Sequence, residues 1–264
     1  MPILPEHKEI LLSQSKSKTL PQWYDFFEGR YSKKQIYGFC YQNKKPIKKI
    51  SEEEKSIIQS KNSRKYNINQ DYFKIWTRNM AYVLGFWYAD GCIYGGKIFD
   101  ITLHKKDKYI LKRIAKELGY EGNLYDYVDR QAVRLNFSCK VIYDDIMNLG
   151  GTERKSFIVK FPETVPNEYL PDFIRGYFDG DGCVMSLKNN RLNSAFTCAS
   201  KEFLEDLLKI LRIEAGVEGG SFNDSCASLK FGKRDTLRLG NYIYKNNPEL
   251  FLLRKREKFF RGGT

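Results

Sequence analysis

An apolar helix ending that occurs twice, 91 residues apart, constrains this chain more than any other feature. The first copy runs Val83-Leu84-Gly85-Phe86-Trp87-Tyr88-Ala89-Asp90-Gly91 and the second Ile174-Arg175-Gly176-Tyr177-Phe178-Asp179-Gly180-Asp181-Gly182. Each puts a carboxylate where a helix C-terminus already carries partial negative charge, an unfavourable placement of up to about 1 kcal/mol. Helix stability therefore does not explain the two acids. Gly85 with Ala89, and Gly176 with Gly180, stand four apart and share one helix face. Two such faces can pack backbone to backbone, so the helices would end side by side with Asp90 and Asp181 close together. Adjacent carboxylates repel unless a cation neutralises them. A hard divalent ion held by carboxylate and water oxygens suits in-line attack of water on a phosphodiester.

The segment C-terminal to each copy also repeats. After Asp90 an alternating stretch with a Gly95-Gly96 turn and Phe99 to Leu103 reads as a β-hairpin; after Asp181 the matching hairpin spans Val184 to Cys198, with its turn at residues 188–191. Each hairpin precedes a helix with an apolar stripe, Tyr109, Ile110, Ile114 and Leu118 in one half and Phe203, Leu204, Leu207, Leu208 and Leu211 in the other. These helices end near Gly119 and Gly216. Second hairpins close on Val133 to Ser138 and Ala227 to Gly232, and helices over Lys140–Leu149 and Lys233–Tyr244 complete each unit. The expected fold is α+β: two pseudo-symmetric αββαββα halves, residues 76–160 and 161–264, packed through the paired motif helices.

At residues 80–260 the chain resembles the LAGLIDADG homing endonucleases in their single-chain, two-motif form. Copy two is the closer match, and copy one has Tyr88 where an acid is frequent. The resemblance implies that Asp90 and Asp181 hold the catalytic metal, with backbone carbonyls nearby, of Gly91 or Ala89 and of Gly180, as further ligands. It also implies a basic residue from each half beside the metal, to activate water or stabilise phosphate charge. Lys155 and Lys255, which lie in matched Arg-Lys elements 100 residues apart, are the candidates, with Lys160 as a substitute. The implied activity is a sequence-specific, Mg²⁺-dependent double-strand break, with Mn²⁺ able to substitute. A functional monomer would act on a long, nearly asymmetric DNA site. Two other activities fit the same scaffold: an intron-encoded maturase binding intron RNA, and a DNA-binding regulator with dead motifs. Retention of both aspartates speaks against the regulator.

The strand patterns offer DNA a surface. In Val133 to Ser138 apolar and polar residues alternate, and Arg134, Asn136 and Ser138 fall on the polar face. The same reading gives Lys97, Asp100 and Thr102 in the first half, and Lys188, Arg191, Asn193, Thr197, Ser228 and Lys230 in the second. Arg, Lys and Asn suit base edges and phosphates in the major groove. With 45 basic against 32 acidic residues the net charge is +13, which favours a polyanionic partner and a steep salt dependence. No run approaches the roughly 20 apolar residues of a membrane helix, and the start does not read as a secretion signal. A bacterial, phage-host or organellar interior is expected, and Met1-Pro2 and Gly262-Gly263-Thr264 do not resemble intein ends. Six cysteines without a CxxC pair, and only His7 and His104, argue against a zinc finger and against paired-histidine nucleases. Cys92 and Cys183, just after the motifs, read as small buried residues.

Residues 1–75 lie outside the repeat and carry 15 Lys or Arg against 8 Asp or Glu. Three short helices are expected, Glu6–Ser13, Leu20–Glu28 and Ser32–Asn43. Ser32 is an N-cap, and Ile36, Phe39 and Cys40 face a small core. Residues 1–48 thus read as a helix-turn-helix module with Lys33, Lys34 and Gln35 leading a recognition helix. Residues 49–75 read as a charged linker.

Overall fold

The computed structural model describes residues 2–52, 66–127, 129–187, 191–223 and 227–260. The chain divides into two compact units, 1–62 and 63–264.

The smaller unit holds three helices: α1 (Pro5–Gln14), α2 (Leu20–Phe26) and α3 (Lys33–Gln42). Ser32 starts α3 in a reciprocal cap: the Gln35 amide donates to Ser32 Oγ at 3.2 Å, and the Ser32 amide donates to Gln35 Oε1 at 2.9 Å. Leu11, Trp23, Phe27, Tyr31, Ile36 and Cys40 form a core of their own, with Phe39 packed against it. Lys33 and Lys34 are exposed at the start of α3. Gln35 is exposed too, although its side-chain oxygen is committed to the cap.

The larger unit is built on the two motif helices, α4 (Arg78–Asp90) and α7 (Leu170–Asp181), which pack on each other more extensively than any other pair of described elements. The contact is backbone on backbone. A Cβ added at Gly85 would lie 2.0 Å from the Phe173 carbonyl oxygen, and one added at Gly176 would lie 2.1 Å from that of Tyr82. One turn further on, a Cβ at Gly180 would meet Ala89 Cβ at 2.3 Å. The four small residues therefore act as the spacing predicts. The glycines that close the motifs do a different job. Gly91 and Gly182 are extended, not left-handed, and each lies so close to an aromatic ring of its own helix, Trp87 or Phe178, that a Cβ would strike it at 2.2 or 2.3 Å.

Each motif helix runs straight into an antiparallel sheet. In the first half the strands β1 (Gly91–Tyr94), β2 (Ile98–His104), β3 (Tyr125–Tyr127) and β4 (Ala132–Ser138) lie in the order β1-β2-β4-β3. The second half repeats this with β5 (Gly182–Leu187), β6 (Arg191–Thr197), β7 (Ser221–Asn223) and β8 (Ser228–Phe231), ordered β5-β6-β8-β7. Gly95 and Gly96, both with positive φ, turn the first hairpin between Tyr94 and its cross-strand partner Ile98. The helices α5 (Lys108–Glu117) and α6 (Lys140–Asn148) serve the first half, and α8 (Lys201–Ala215) and α9 (Lys233–Ile243) the second. The chain ends in α10 (Leu253–Phe260). Two four-stranded antiparallel sheets with a shared helical core give the expected α+β architecture.

Three expectations change. Tyr109 leaves the apolar stripe of α5: it is 39% exposed and reaches the second half, while Leu111 and Ala115 join Ile110 and Ile114 in the core. Cys92 and Cys183 are exposed, because the strand alternation that buries Ile93 and Val184 turns them outward. Residues 66–75, expected as linker, run along the first half. There Phe73 is buried, the Asn69 amide donates to Leu118 O at 2.9 Å, and Asn67 bonds Glu121. Residues 53–65 of that stretch, the hairpin turn with Lys188, and Cys226 lie outside the described residues.

Candidate active site

The close crossing of α4 and α7 brings their ends together. Asp90 packs on the second motif, its Oδ2 3.0 Å from where a Gly180 Cβ would be. Asp181 is half-buried beside it, and Asp90 keeps an edge open to solvent. Crowding by protein, then the neighbouring Asp181 charge, pushes the Asp90 carboxyl up to about 6. The Asp181 carboxyl is also raised, chiefly by burial. Two carboxylates held this way form a site short of positive charge.

Both candidate lysines are at the site, in the same role. Lys155, in a single 3₁₀ turn (Lys155–Phe157), donates to the carbonyls of Tyr88 at 2.7 Å and Ala89 at 2.9 Å. Lys255, in the first turn of α10, donates to the carbonyls of Phe178 at 2.8 Å, Asp179 at 2.5 Å and Gly180 at 3.1 Å. Each ammonium thus caps the last carbonyls of the motif helix in its own half. This offsets the C-terminal charge that makes the two acids unfavourable. Burial lowers both ammonium groups, Lys255 to about 8. Among the basic neighbours of Asp90, Lys255 acts on it more strongly than Lys155; for Asp181 the order reverses. Both ammonium groups thus lie within electrostatic reach of both aspartates while bonded to backbone carbonyls. Lys160, the substitute, pairs instead with Glu202 on the surface at 2.8 Å.

The residue two before each site aspartate is structural. The Tyr88 hydroxyl donates to Leu149 O at 3.0 Å. At the matching place, buried Asp179 accepts from Tyr82 Oη at 2.8 Å and from the Leu252 amide at 2.7 Å. Tyrosine and aspartate thus do equivalent work, anchoring the segment that leads to each lysine.

Among the described residues no cluster of three or more His, Cys, Asp or Glu side chains could enclose a metal. Two carboxylates fit an ion that keeps water and substrate oxygens in its shell, as Mg²⁺ does. The Ala89 and Gly180 carbonyls expected as further ligands each accept a lysine ammonium and retain one lone pair. The Gly91 amide is tied to Trp87 O.

Both sheets turn a polar face away from the helices, and the two faces differ. On the first, Asp100 is the hub. Arg134 Nε and Nη2 both donate to its Oδ2, Asn136 donates to the same oxygen at 2.7 Å, and the Thr102 hydroxyl donates to its Oδ1 at 3.2 Å. Arg134 also donates to Tyr94 Oη at 3.0 Å and to Tyr127 Oη at 3.2 Å. Asp100, expected to contact DNA, is instead buried beneath the groups it orients. The Tyr residues joining this network are not among the expected contacts, although Tyr94, Tyr125 and Tyr127 occupy the same alternation as Arg134. Ser138 and Lys97 are both exposed at the edge of this sheet. On the second face Asn193 is half-buried, while Thr197 and Lys230 are exposed. Ser228 is buried there, paired across the strands with Thr197. The side chain of Arg191 lies outside the described residues.

Comparison with known proteins agrees with this architecture. Residues 168–223 match the family model described as a LAGLIDADG-like domain. A segment of the probable translation initiation factor IF-2 of Methanocaldococcus jannaschii is 27% identical over 201 residues, 64% of this chain and 16% of that protein. A segment of the DNA-directed RNA polymerase subunit Rpo1C of the same organism is 28% identical over 152 residues, 55% of this chain and again 16% of that protein. This chain therefore spans about a sixth of the length of these curated relatives. The structure of the homing endonuclease I-WcaI bound to its DNA recognition sequence superposes with a TM-score of 0.50 at 16% identity, covering 72% of this chain and 91% of that one.

Proposed function

Taking the chain as a two-motif protein of LAGLIDADG type, we propose that it is a divalent-metal-dependent, site-specific DNA endonuclease that cuts both strands of a long, nearly asymmetric site. One observation carries the reading: two carboxylates and two lysine ammonium groups, supplied symmetrically by two halves, meet at the paired ends of the motif helices, each of which leads into a sheet with a polar outer face. That is the geometry needed to act once on each of two antiparallel strands.

Asp90 and Asp181 would hold the metal, Mg²⁺ by the hardness of its donors, with Mn²⁺ as a substitute. The ion would supply an acidified water and neutralise charge on the phosphate. Lys155 and Lys255 hold the helix ends in place and keep positive charge near the phosphate oxygens on which negative charge would develop. One lysine from each half would serve each strand, Lys155 from the first and Lys255 from the second. The polar sheet faces would follow the duplex, with Arg134 and Asn136 aimed at base edges and Lys230 at phosphate. One chain with two diverged halves needs no second copy. The relatives share only a sixth-length segment with this chain while bearing unrelated names, which supports a movable, self-contained module and hence a homing role. Whether intron RNA is a second ligand is decided by competition between intron RNA and duplex DNA.

The test is cleavage of a large mixed DNA pool with Mg²⁺, sequencing the new ends, with Asp90→Asn and Asp181→Asn alongside. Cuts at one long sequence, lost in either variant, are expected. Tight, salt-sensitive DNA binding with no cuts would shift the reading to a maturase or regulator. Residues 1–48 are read as an added DNA-binding module. Their deletion is expected to weaken binding and flatten its salt dependence, leaving cleavage intact at high enzyme; an unchanged salt slope would remove the module from the interface.

A further inference from the structure

The two lysines are held by different parts of the molecule. Lys155 follows Arg154, which has a left-handed backbone, and precedes Phe157 and Ile158, 79% and 62% exposed. Its approach is fixed within its own half, where Glu153 accepts from Tyr143 Oη at 2.9 Å. The segment leading to Lys255 crosses to the first half instead. There Arg113 donates to Glu249 O at 2.8 Å, and Tyr109 Oη accepts from the Leu253 amide at 2.7 Å. The buried Asp107 takes a bidentate pair from Arg254, with Nε at 2.9 Å and Nη2 at 2.7 Å. Arg254 is the residue immediately before Lys255.

We infer that Asp107 of the first half is a positioning residue for Lys255 of the second, acting through Arg254 to place the ammonium that serves one DNA strand. The inference rests on the endonuclease reading. Its chemistry is that of a short, well-directed ion pair. A carboxylate that is nearly buried and accepts both guanidinium bonds fixes the backbone beside Lys255 in direction as well as position. The first half's lysine has no counterpart: the only described ion pair from its segment to the second half is Lys160–Glu202, exposed on both sides, and such pairs contribute little. Damage to the Asp107–Arg254 pair should therefore fall on one strand.

The experiment is cleavage of a supercoiled plasmid carrying the target, with each strand also followed by end-labelling, for wild type, Asp107→Asn, Arg254→Gln and the double variant. In Asp107→Asn the strand that Lys255→Met also slows is expected to lose about tenfold or more in rate, since misplacement of a catalytic group by about 1 Å can cost up to a hundredfold. The other strand should change by less than about twofold, and nicked circles should accumulate. That second strand is an internal measure of folded, DNA-bound enzyme, so general destabilisation, which slows both strands together, is distinguished from mispositioning. The double variant should be no more biased than either single one, because the two residues act as a unit. Equal slowing of both strands, slowing of the opposite strand, no change, or additive effects would each overturn the inference. Wild-type protein that binds the plasmid without cutting it would instead overturn the endonuclease reading.

Discussion

The two halves of the larger unit share strand order, helix order and the job done by each motif residue, yet differ in how firmly they are finished. The first half locks its sheet face, where Asp100 clamps Arg134 and Asn136 into one hydrogen-bonded network. It leaves its lysine half-buried on a single helical turn. The second half does the reverse. Its sheet face has Thr197 and Lys230 exposed, while Lys255 is 5% exposed and bonded to three carbonyls. The halves thus agree where the helix pair demands it sterically and differ in their outer sheet faces and in the support of their lysines. An asymmetric target is what two such faces would read.

The largest effects test whether the lysines divide the strands. Lys155→Met and Lys255→Met should each slow one strand, and not the same one, by about 10²- to 10³-fold, the usual scale for losing a group that stabilises developing charge. Only Lys255→Met should also lower the melting temperature clearly, because three carbonyls lose their partner. Single-turnover cleavage of duplexes labelled on either strand measures this, and a common slowed strand would break the comparison. Next come the helix contacts, where the halves should be equivalent. Gly85→Ala and Gly176→Ala each force a methyl onto the partner helix backbone, so each should cost about 2–3 kcal/mol by overpacking. A large cost from one and none from the other, by urea unfolding, would show the crossing to be less reciprocal than the distances imply.

The steric part of this architecture is legible in the sequence. Small residues four apart announce the helix crossing, the period-two alternation places Arg134 and Asn136 on an outer face, and the repeat carries the strand order of the first half over to the second. The matched Arg-Lys elements locate both lysines. The hidden part depends on partners distant in the chain. Nothing near Tyr109 says that its hydroxyl will meet residues 251 and 253, and Asp107 and Arg254 are 147 residues apart. Asp100 looks like any polar strand residue, since its burial is created by the arginine that pairs across the strands. Cys92 and Cys183 mislead because thiols are usually buried, and only strand register turns these two outward.

The sheet faces come next in size. Asp100→Asn removes the charge that fixes Arg134, and should reduce discrimination at one half-site by about 1–2 kcal/mol for each base pair that Arg134 reads, with modest change in non-specific affinity. Lys230→Ala on the second face should weaken binding to all sequences alike and lower the salt slope by about one unit. Competition binding with half-site variants across a salt series separates the two. Uniform loss in both variants would mean that the locked face holds phosphates and does not read sequence.

The smallest effect is a gain. Metal-free, the folded protein holds Asp90 with its carboxyl raised to about 6, above its ordinary value near 3.8, so between those values the folded state binds the extra proton. Stability therefore falls as pH rises through that window, and above pH 6 the full penalty of the charged group is present. Asp90→Asn removes the penalty. At pH 8 with a chelator it should unfold at higher denaturant than wild type, by about 1 kcal/mol once the group's contact with solvent is allowed for. Below about pH 4 the two proteins should be equally stable, because the carboxyl is then protonated in both states. Mg²⁺ should reverse the order at pH 8, since an ion that binds the folded site stabilises only the protein that keeps both carboxylates. A variant no more stable than wild type in chelator, with no Mg²⁺ effect on either, would mean that Asp90 is an ordinary surface carboxylate. The electrostatic tension between the two halves, which the acid-ended helices first suggested, would then be absent.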